Sequence, residues 1–251
     1  MKTMIRCSAL MIVAALWAVT AQAQTADEVV EKHLTALGGR AALGKLESRW
    51  AAGSIIVSTQ GMDLAGSVEI YAKAPNKTRS YIRLDLSAVG GTEMIIDQRC
   101  DGKTAFASNS MQGDREITGS QLQNMLNGSF PTPLLKYKDA GTKVELAGKE
   151  KVGMRDAFVL KYTPKVGPAS KQYFDAETYL LIRTVITLDA PEMGGAMEQT
   201  TDLSDYREVD GVKIAFSIQT VNSAQTVTIR LEKVEQNKPL DDAMFVRAVV
   251  K

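Results

Sequence analysis

The chain predicts a mostly β fold: a single large, strongly curved antiparallel sheet, an unclosed β-barrel, with a few short helices as plug or lid. Three observations predict it. The stretch from Met197 to Asn237 contains Asp210-Gly211 between Val209 and Val212, the strongest short-range signal for a two-residue hairpin turn. On either side of that turn the side chains alternate. Ile214, Phe216 and Ile218 share one face, and after a second turn at Asn222-Ser223 so do Val227, Ile229 and Leu231, so each strand has one apolar and one wet side. Helical periodicity, by contrast, is confined to a few short segments, too little to cover a sheet of this length.

Taken in order, the chain opens with Lys2 and Arg6 ahead of an apolar run from Ala9 to Val19, followed by Ala21-Gln22-Ala23. This is the form of a cleaved secretory signal peptide over residues 1–23, and the run is too short to span a bilayer as a helix. The remainder, 24–251, is expected to be one domain exported to the periplasm. The whole chain has thirty Lys+Arg against twenty-nine Asp+Glu, and the leader carries two cations and no acid. A near-neutral balance gives no electrostatic reason to expect nucleic acid as a partner. Cys7 falls in the leader and only Cys100 remains, so no internal disulfide can form and stability must come from a core.

Thr25 and Glu28 have capping-box spacing, Val29, Val30, His33, Leu34 and Leu37 recur at helical intervals, and Gly38-Gly39 supplies the stop. A second short helix is expected over Ala41 to Leu46. From Ser48 the period changes to two. Strands are expected over Trp50 to Ser58, Leu64 to Ala72, and through Ile82 and Leu84, with Gly90-Gly91 as punctuation. Met94 and Ile96 lead into a second turn at Asp101-Gly102, Ala105 to Ser108 returns, and a further hairpin turns near Met111-Gln112-Gly113 and reaches Ile117. These connections are too short for crossovers, so the pairing is antiparallel. One helix interrupts, Thr118 to Asn127, with Leu122, Met125 and Leu126 on one face and Gly128 as its stop. Pro131 and Pro133 then predict an irregular stretch. Strands resume over Val144 to Lys151, Ala157 to Tyr162, Lys171 to Phe174 and Tyr179 to Asp189. Pro191 to Gly195 is expected to be a loop, and the tail from Lys238 offers Phe245 and Val246 as docking points.

The pattern resembles the LolA/LolB-like outer-membrane lipoprotein-carrier superfamily, and more closely its exported lipoprotein-sorting type. The residues that carry the likeness are the helix ending in Ala36-Leu37-Gly38-Gly39, the long meander broken by one small helix, Tyr173-Phe174-Asp175-Ala176-Glu177-Thr178, and Asp205-Tyr206-Arg207-Glu208-Val209-Asp210-Gly211-Val212. The likeness covers nearly all of 24–251, but its motifs are hairpin turns, which specify fold better than activity. It implies an open barrel whose apolar cavity takes acyl chains. No family functional residue carries over to an individual position.

On this reading Ile82, Leu84, Met94, Ile96, Ile214, Phe216 and Ile218 line the apolar interior, and Leu122 and Met125 belong to a lid. Met94, Met125, Met193 and Met197 add flexible thioethers suited to a surface that repacks around varied guests. Core-facing and cavity-facing positions share one periodicity, so Met as ordinary core filler is an equal alternative. The expected partner is a lipid or an acylated lipoprotein, with membrane-bound donor and acceptor proteins. The alternative is an interaction or assembly module that pairs through an exposed sheet edge and has a solidly packed interior.

Catalysis has little support. His33 is the single histidine, set among apolar positions of a helix, and no second histidine completes a zinc site. Cys100 beside a turn has no histidine near it in sequence. No serine-lysine pair has the spacing of a nucleophile and its base, and Gly90-Gly91 lacks the Lys and helix of a phosphate loop. Asp202, Asp205 and Glu208 do not share one strand face. The expectation is a binder without enzyme activity, cofactor or metal.

Overall fold

A computed structural model of the chain describes residues 24–190 and 195–247. The leader and Met193 fall outside the described residues. Two helices come first, α1 (Ala26–Ala36) and α2 (Arg40–Leu43), followed by β1 (Ser48–Thr59), β2 (Met62–Lys73), β3 (Lys77–Asp85), β4 (Glu93–Cys100), β5 (Ala105–Asn109) and β6 (Gly113–Ile117). Helix α3 (Gly119–Asn127) and a 3-10 turn at Pro133–Lys136 then lead to β7 (Lys143–Val152), β8 (Arg155–Thr163), β9 (Ser170–Asp175), β10 (Leu181–Ala190), β11 (Gly195–Val209), β12 (Val212–Val221) and β13 (Thr226–Gln236). All thirteen strands form one sheet in the order β6-β5-β4-β3-β2-β1-β13-β12-β11-β10-β9-β8-β7. Every pairing is antiparallel, and β6 and β7 remain edges, so the barrel is not closed.

The turns explain why neighbours in sequence are neighbours in the sheet. Asp210 and Gly211 have φ of 51° and 76°, the two positive values a type I′ hairpin requires. Gln60 and Gly61 repeat this geometry at 49° and 79°, a hairpin that the composition of the β1–β2 connection does not advertise. At the β4–β5 turn the Asp101 carboxylate accepts from the backbone N–H groups of Lys103 and Thr104. Asn222 caps the β12–β13 turn in the same way through Ala224 and Gln225.

Helix α1 has the expected capping box: Glu28 N–H donates to Thr25 Oγ1 at 3.2 Å, and Thr25 N–H to Glu28 Oε2 at 3.0 Å. Val29, Val30 and Leu34 are fully buried and pack on Phe158, Leu160 and Phe174 of β8 and β9, with Leu43 from α2 and Leu134 from the 3-10 turn. Asp27 ties the helix to Tyr137 and Lys138. The helix end is locked to the β11–β12 turn, where Lys213 N–H donates to Leu37 O at 2.8 Å. There Gly38 has φ of 127°, and a Cβ on it would stand 2.2 Å from Gly211 O, so no other residue fits.

His33 is 3% exposed, and its Nδ1 lies 2.9 Å from Tyr179 O. A carbonyl only accepts, so the neutral ring carries its proton on Nδ1. Burial pulls its pKa down to about 4, against the smaller upward pull of that hydrogen bond. At the other end of the chain Phe245 is fully buried, whereas Val246 is 43% exposed. Only the first of the two expected docking points therefore docks. Val246 contributes its carbonyl, which accepts from Arg99. Nearby, Asp97 takes two hydrogen bonds from Arg79 and two from Arg99. Burial works to raise the Asp97 pKa, but these guanidinium bonds outweigh it and hold the carboxyl below its ordinary range.

Two outcomes follow. Gly38→Ala should destabilise the protein by about 1–3 kcal/mol in urea unfolding, and an unchanged midpoint would contradict the close approach to Gly211. The unfolded chain protonates His33 near its ordinary value, while the folded chain resists down to about pH 4. Stability from this group is therefore full above about pH 6.5 and falls as pH drops toward 4, with about 2 kcal/mol lost by pH 5. Unfolding of His33→Gln at pH 7 and pH 5 should lack that loss, and a drop equal to that of the unmutated protein would refute the assignment.

Candidate functional site

Cross-strand register shows how the concave side is built. Met94 pairs with Leu84, Leu84 with Gly66, Gly66 with Ile55, Ile55 with Ile229, Ile229 with Ile218 and Ile218 with Leu203. Directly opposed residues lie on the same face of a sheet, so this row runs across seven strands, β4 to β11, on one side. A second row sets Ile96 beside Ile82 and Ile82 beside Val68. At Gly66 the rows come so close that a Cβ would meet Arg83 O at 1.9 Å. Ile55, Val68 and Leu84 are each 1% exposed, and Ile82, Met94, Ile96 and Ile229 pack against them while remaining half-buried.

Five of the seven residues expected in the interior, Ile82, Leu84, Met94, Ile96 and Ile218, thus belong to one continuous apolar surface. Ile214 and Phe216 follow Ile218 on the same face of β12 and are buried farther along it with Ala51 and Leu231, in a cluster that shares Ile70 and Ile229 with the first. The Arg207 guanidinium sits 4.6 Å from the Phe216 ring. Leu122 and Met125 of α3 rest on Cys100, Ala105 and Ile117 at the end of the β4–β5–β6 wall. Cys100 is fully buried, and burial pushes its thiol pKa up.

Helix α3 leaves the β6 edge and reaches the other half of the sheet, where the Ser120 hydroxyl accepts from Asp189 N–H at 2.9 Å. Between the two halves lies a cavity of about 730 Å³. One wall is Ile96 and Gln98 from β4 with Ala107 and Asn109 from β5, and the facing wall is Leu188 from β10 with Met197 and Gln199 from β11. Gln121, Asn124 and Met125 of α3 form a side, and the β5–β6 and β12–β13 turns frame the opening with Gln112, Asn222 and Gln225. Ile96 and Met125, and Met197 from the expected set of flexible thioethers, are the sequence-expected residues in this lining. A second void of about 290 Å³ shares Asn124 and Gln199 with the first and continues past Gln172, Thr184 and Thr201.

The polar part of this lining was not anticipated. Its only trace in the sequence is an amide two residues from an apolar side chain, Ile96 and Gln98, Ala107 and Asn109, Met197 and Gln199. That pattern has no meaning until the strand's inner face is known.

Elsewhere on the concave side, Arg49 donates to Gln236 Oε1 at 3.1 Å and lies over the Phe130 ring at 5.3 Å, and burial pulls its pKa down to about 10. The carboxylates of β11 are separated by their own partners. Asp202 is held by Arg183 at 2.6 Å, Asp205 by Arg207 at 2.7 Å, and Glu208 stands opposite Lys213. Among the described residues no three of His, Cys, Asp and Glu are grouped to hold a metal ion, and no described helix is long and apolar enough to cross a membrane.

No family model matches the sequence, and no curated protein matches it. Solved structures do. A LolA superfamily protein from Nitrosomonas europaea superposes with a TM-score of 0.56 at 13% identity, covering 90% of this chain and 99% of that one. A DUF1329 family protein from Desulfovibrio piger gives 0.55 at 16% identity, covering 88% and 97%. A domain assigned to outer membrane lipoprotein sorting, from Vibrio parahaemolyticus, gives 0.54 at 12% identity, covering 87% and 94%. At such identities the likeness is one of fold, and over nearly its whole described length this chain has the open-barrel fold of the LolA superfamily structures.

Proposed function

We propose that the protein is a periplasmic carrier that binds a lipid, or the acyl chains of a lipoprotein, in the cavity beneath α3, without making or breaking a bond. The observation that supports this most is the cavity of about 730 Å³ left between the halves of the sheet, within the roughly 300–1,000 Å³ range of small-molecule sites. The fold shared with LolA superfamily structures points the same way. A solidly packed edge-pairing module fits less well, because the interior next to Ile96, Leu188 and Met197 is hollow.

The energetics suit a carrier. Burying a methylene contributes roughly 0.8 kcal/mol, so about twelve methylenes give on the order of 10 kcal/mol before the cost of association, itself about 4–15 kcal/mol. What remains is small enough for release. Helix α3 is the natural gate, since it has no fully buried side chain. It rests on the β4–β5–β6 wall mainly through Leu122, Met125 and Leu126. The leader over 1–23 and the export it implies belong to this proposal.

The experiment is displacement of an apolar fluorescent probe from the purified protein, together with lipid extraction and mass spectrometry of the protein isolated from its host. Ala107→Phe, which fills the cavity from its wall, should weaken probe binding by about tenfold or more, the loss expected for roughly 1.4 kcal/mol or more of excluded contact, with the unfolding midpoint little changed. Unaltered probe affinity in a folded Ala107→Phe protein would refute the site.

A further inference from the structure

The lining of the two voids says more about the guest than that it is apolar. Three of the strands that face the larger cavity present one apolar and one amide side chain two residues apart: Ile96 and Gln98 on β4, Ala107 and Asn109 on β5, Met197 and Gln199 on β11. Residues at i and i+2 share a strand face, and cross-strand pairing sets Ile96 beside Asn109 and Gln98 beside Ala107. The amides therefore point into the hollow by register, not at solvent outside the sheet.

The Asn109 oxygen caps the β5–β6 turn, accepting from Met111 and Gln112 N–H at 2.8 and 3.2 Å, but the NH₂ groups of Gln98 and Asn109 are poorly used. Gln98 Nε2 points at Met125 Sδ, and Asn109 Nδ2 at Met94 Sδ, each at 3.8 Å. Thioether sulfur is a weak acceptor, so both NH₂ groups would gain from an oxygen.

Charge is the second, independent observation. Among the described residues lining the larger cavity Arg115 alone is charged, and it is exposed. The smaller void has no charged residue among its described lining, and its polar groups are hydroxyls and amides such as Ser170, Gln172, Thr184 and Thr201. A cavity evolved for bare hydrocarbon has no use for such groups, since burying an amide without a strong partner is unfavourable. One evolved for a charged headgroup would need a buried counter-charge.

We infer that the guest is an amphiphile whose headgroup is uncharged and rich in hydroxyl or amide groups, such as a glycolipid-like or acyl-amide molecule, held with its chain on Ile96, Leu188 and Met197 and its head on Gln98, Asn109 and Gln199. This deepens the carrier reading and rests on it.

The test uses three ligands with the same ten-carbon chain, each kept below its micelle concentration: decyl maltoside, decanoate and decyltrimethylammonium. Titration calorimetry on the purified protein should show decyl maltoside binding about tenfold or more tighter than the other two, the effect of two net hydrogen bonds. Gln98→Leu with Asn109→Leu should bring the three within about twofold while leaving decanoate binding as strong or stronger, a result that misfolding cannot produce. Equal affinities in the unmutated protein would overturn the headgroup inference and leave the carrier reading standing. Tightest binding by decanoate would overturn it in favour of an anion at Arg115, and failure of all three to bind would remove both.

Discussion

The β1–β13 ladder is the constraint on which the molecule depends. It runs from Arg49 paired with Gln236 to Ser58 paired with Thr226, with one register shift between Ala52 and Gly53. On one side of it lie β2 to β6, and on the other β12 to β7. These two halves are otherwise separate meanders, each built from local hairpins. Joined along this ladder, they become one sheet of thirteen strands, which must coil strongly because every strand adds right-handed twist. A sheet that coils without closing leaves a hollow between its arms, and the free edges β6 and β7 face a gap that α3 and the following segment occupy.

Filling of that hollow is uneven for a reason visible in the helices. α1 and α2 bring Val29, Val30, Leu34 and Leu43 to the inner face of β8 and β9, where they meet Leu160 and Phe174 in a fully buried core. The helix end is pinned by the Gly38 contact with the β11–β12 turn, so this plug belongs to that side of the barrel. α3, nine residues long, is too short to do the same for the rest. It closes over Cys100, Ala105 and Ile117 and leaves space toward the β5–β6 and β12–β13 turns. The convex side is secured differently, by ion pairs such as Asp97 with Arg79 and Arg99 and by the docked Phe245.

Much of this was legible in the residues. Asp210-Gly211 and Asp101-Gly102 specify their turns because positive φ and a local carboxylate cap are properties of two or three adjacent residues. The Thr25 and Glu28 capping box is equally local, and the helix over Thr118 to Asn127 was expected within one residue of its observed start. Boundaries drifted where tertiary contacts decide them. α2 spans Arg40–Leu43 and not Ala41 to Leu46, and β10 starts at Leu181 because Tyr179, at φ 57°, belongs to the preceding turn. The candidate site was legible only in part. Ile96 and Met125 line the cavity, whereas Ile214 and Phe216, with the same alternation, are buried in a packed cluster. The amides Gln98, Asn109 and Gln199 show only as polar residues two places from an apolar one, a pattern that carries no meaning until the inner face is known.

By itself the sequence determined the antiparallel meander, the turn positions, the capped first helix and which strand positions are apolar, since each of these follows from interactions among residues a few places apart. Only the tertiary structure decided that β1 meets β13, that the barrel stays open, and that one stretch of its inner face is packed while another borders a void lined with amides. Periodicity places a side chain on a face of a strand. What stands across from that face is set by how strongly the whole sheet coils and how far α1 and α3 reach, and those are properties of residues distant in the chain.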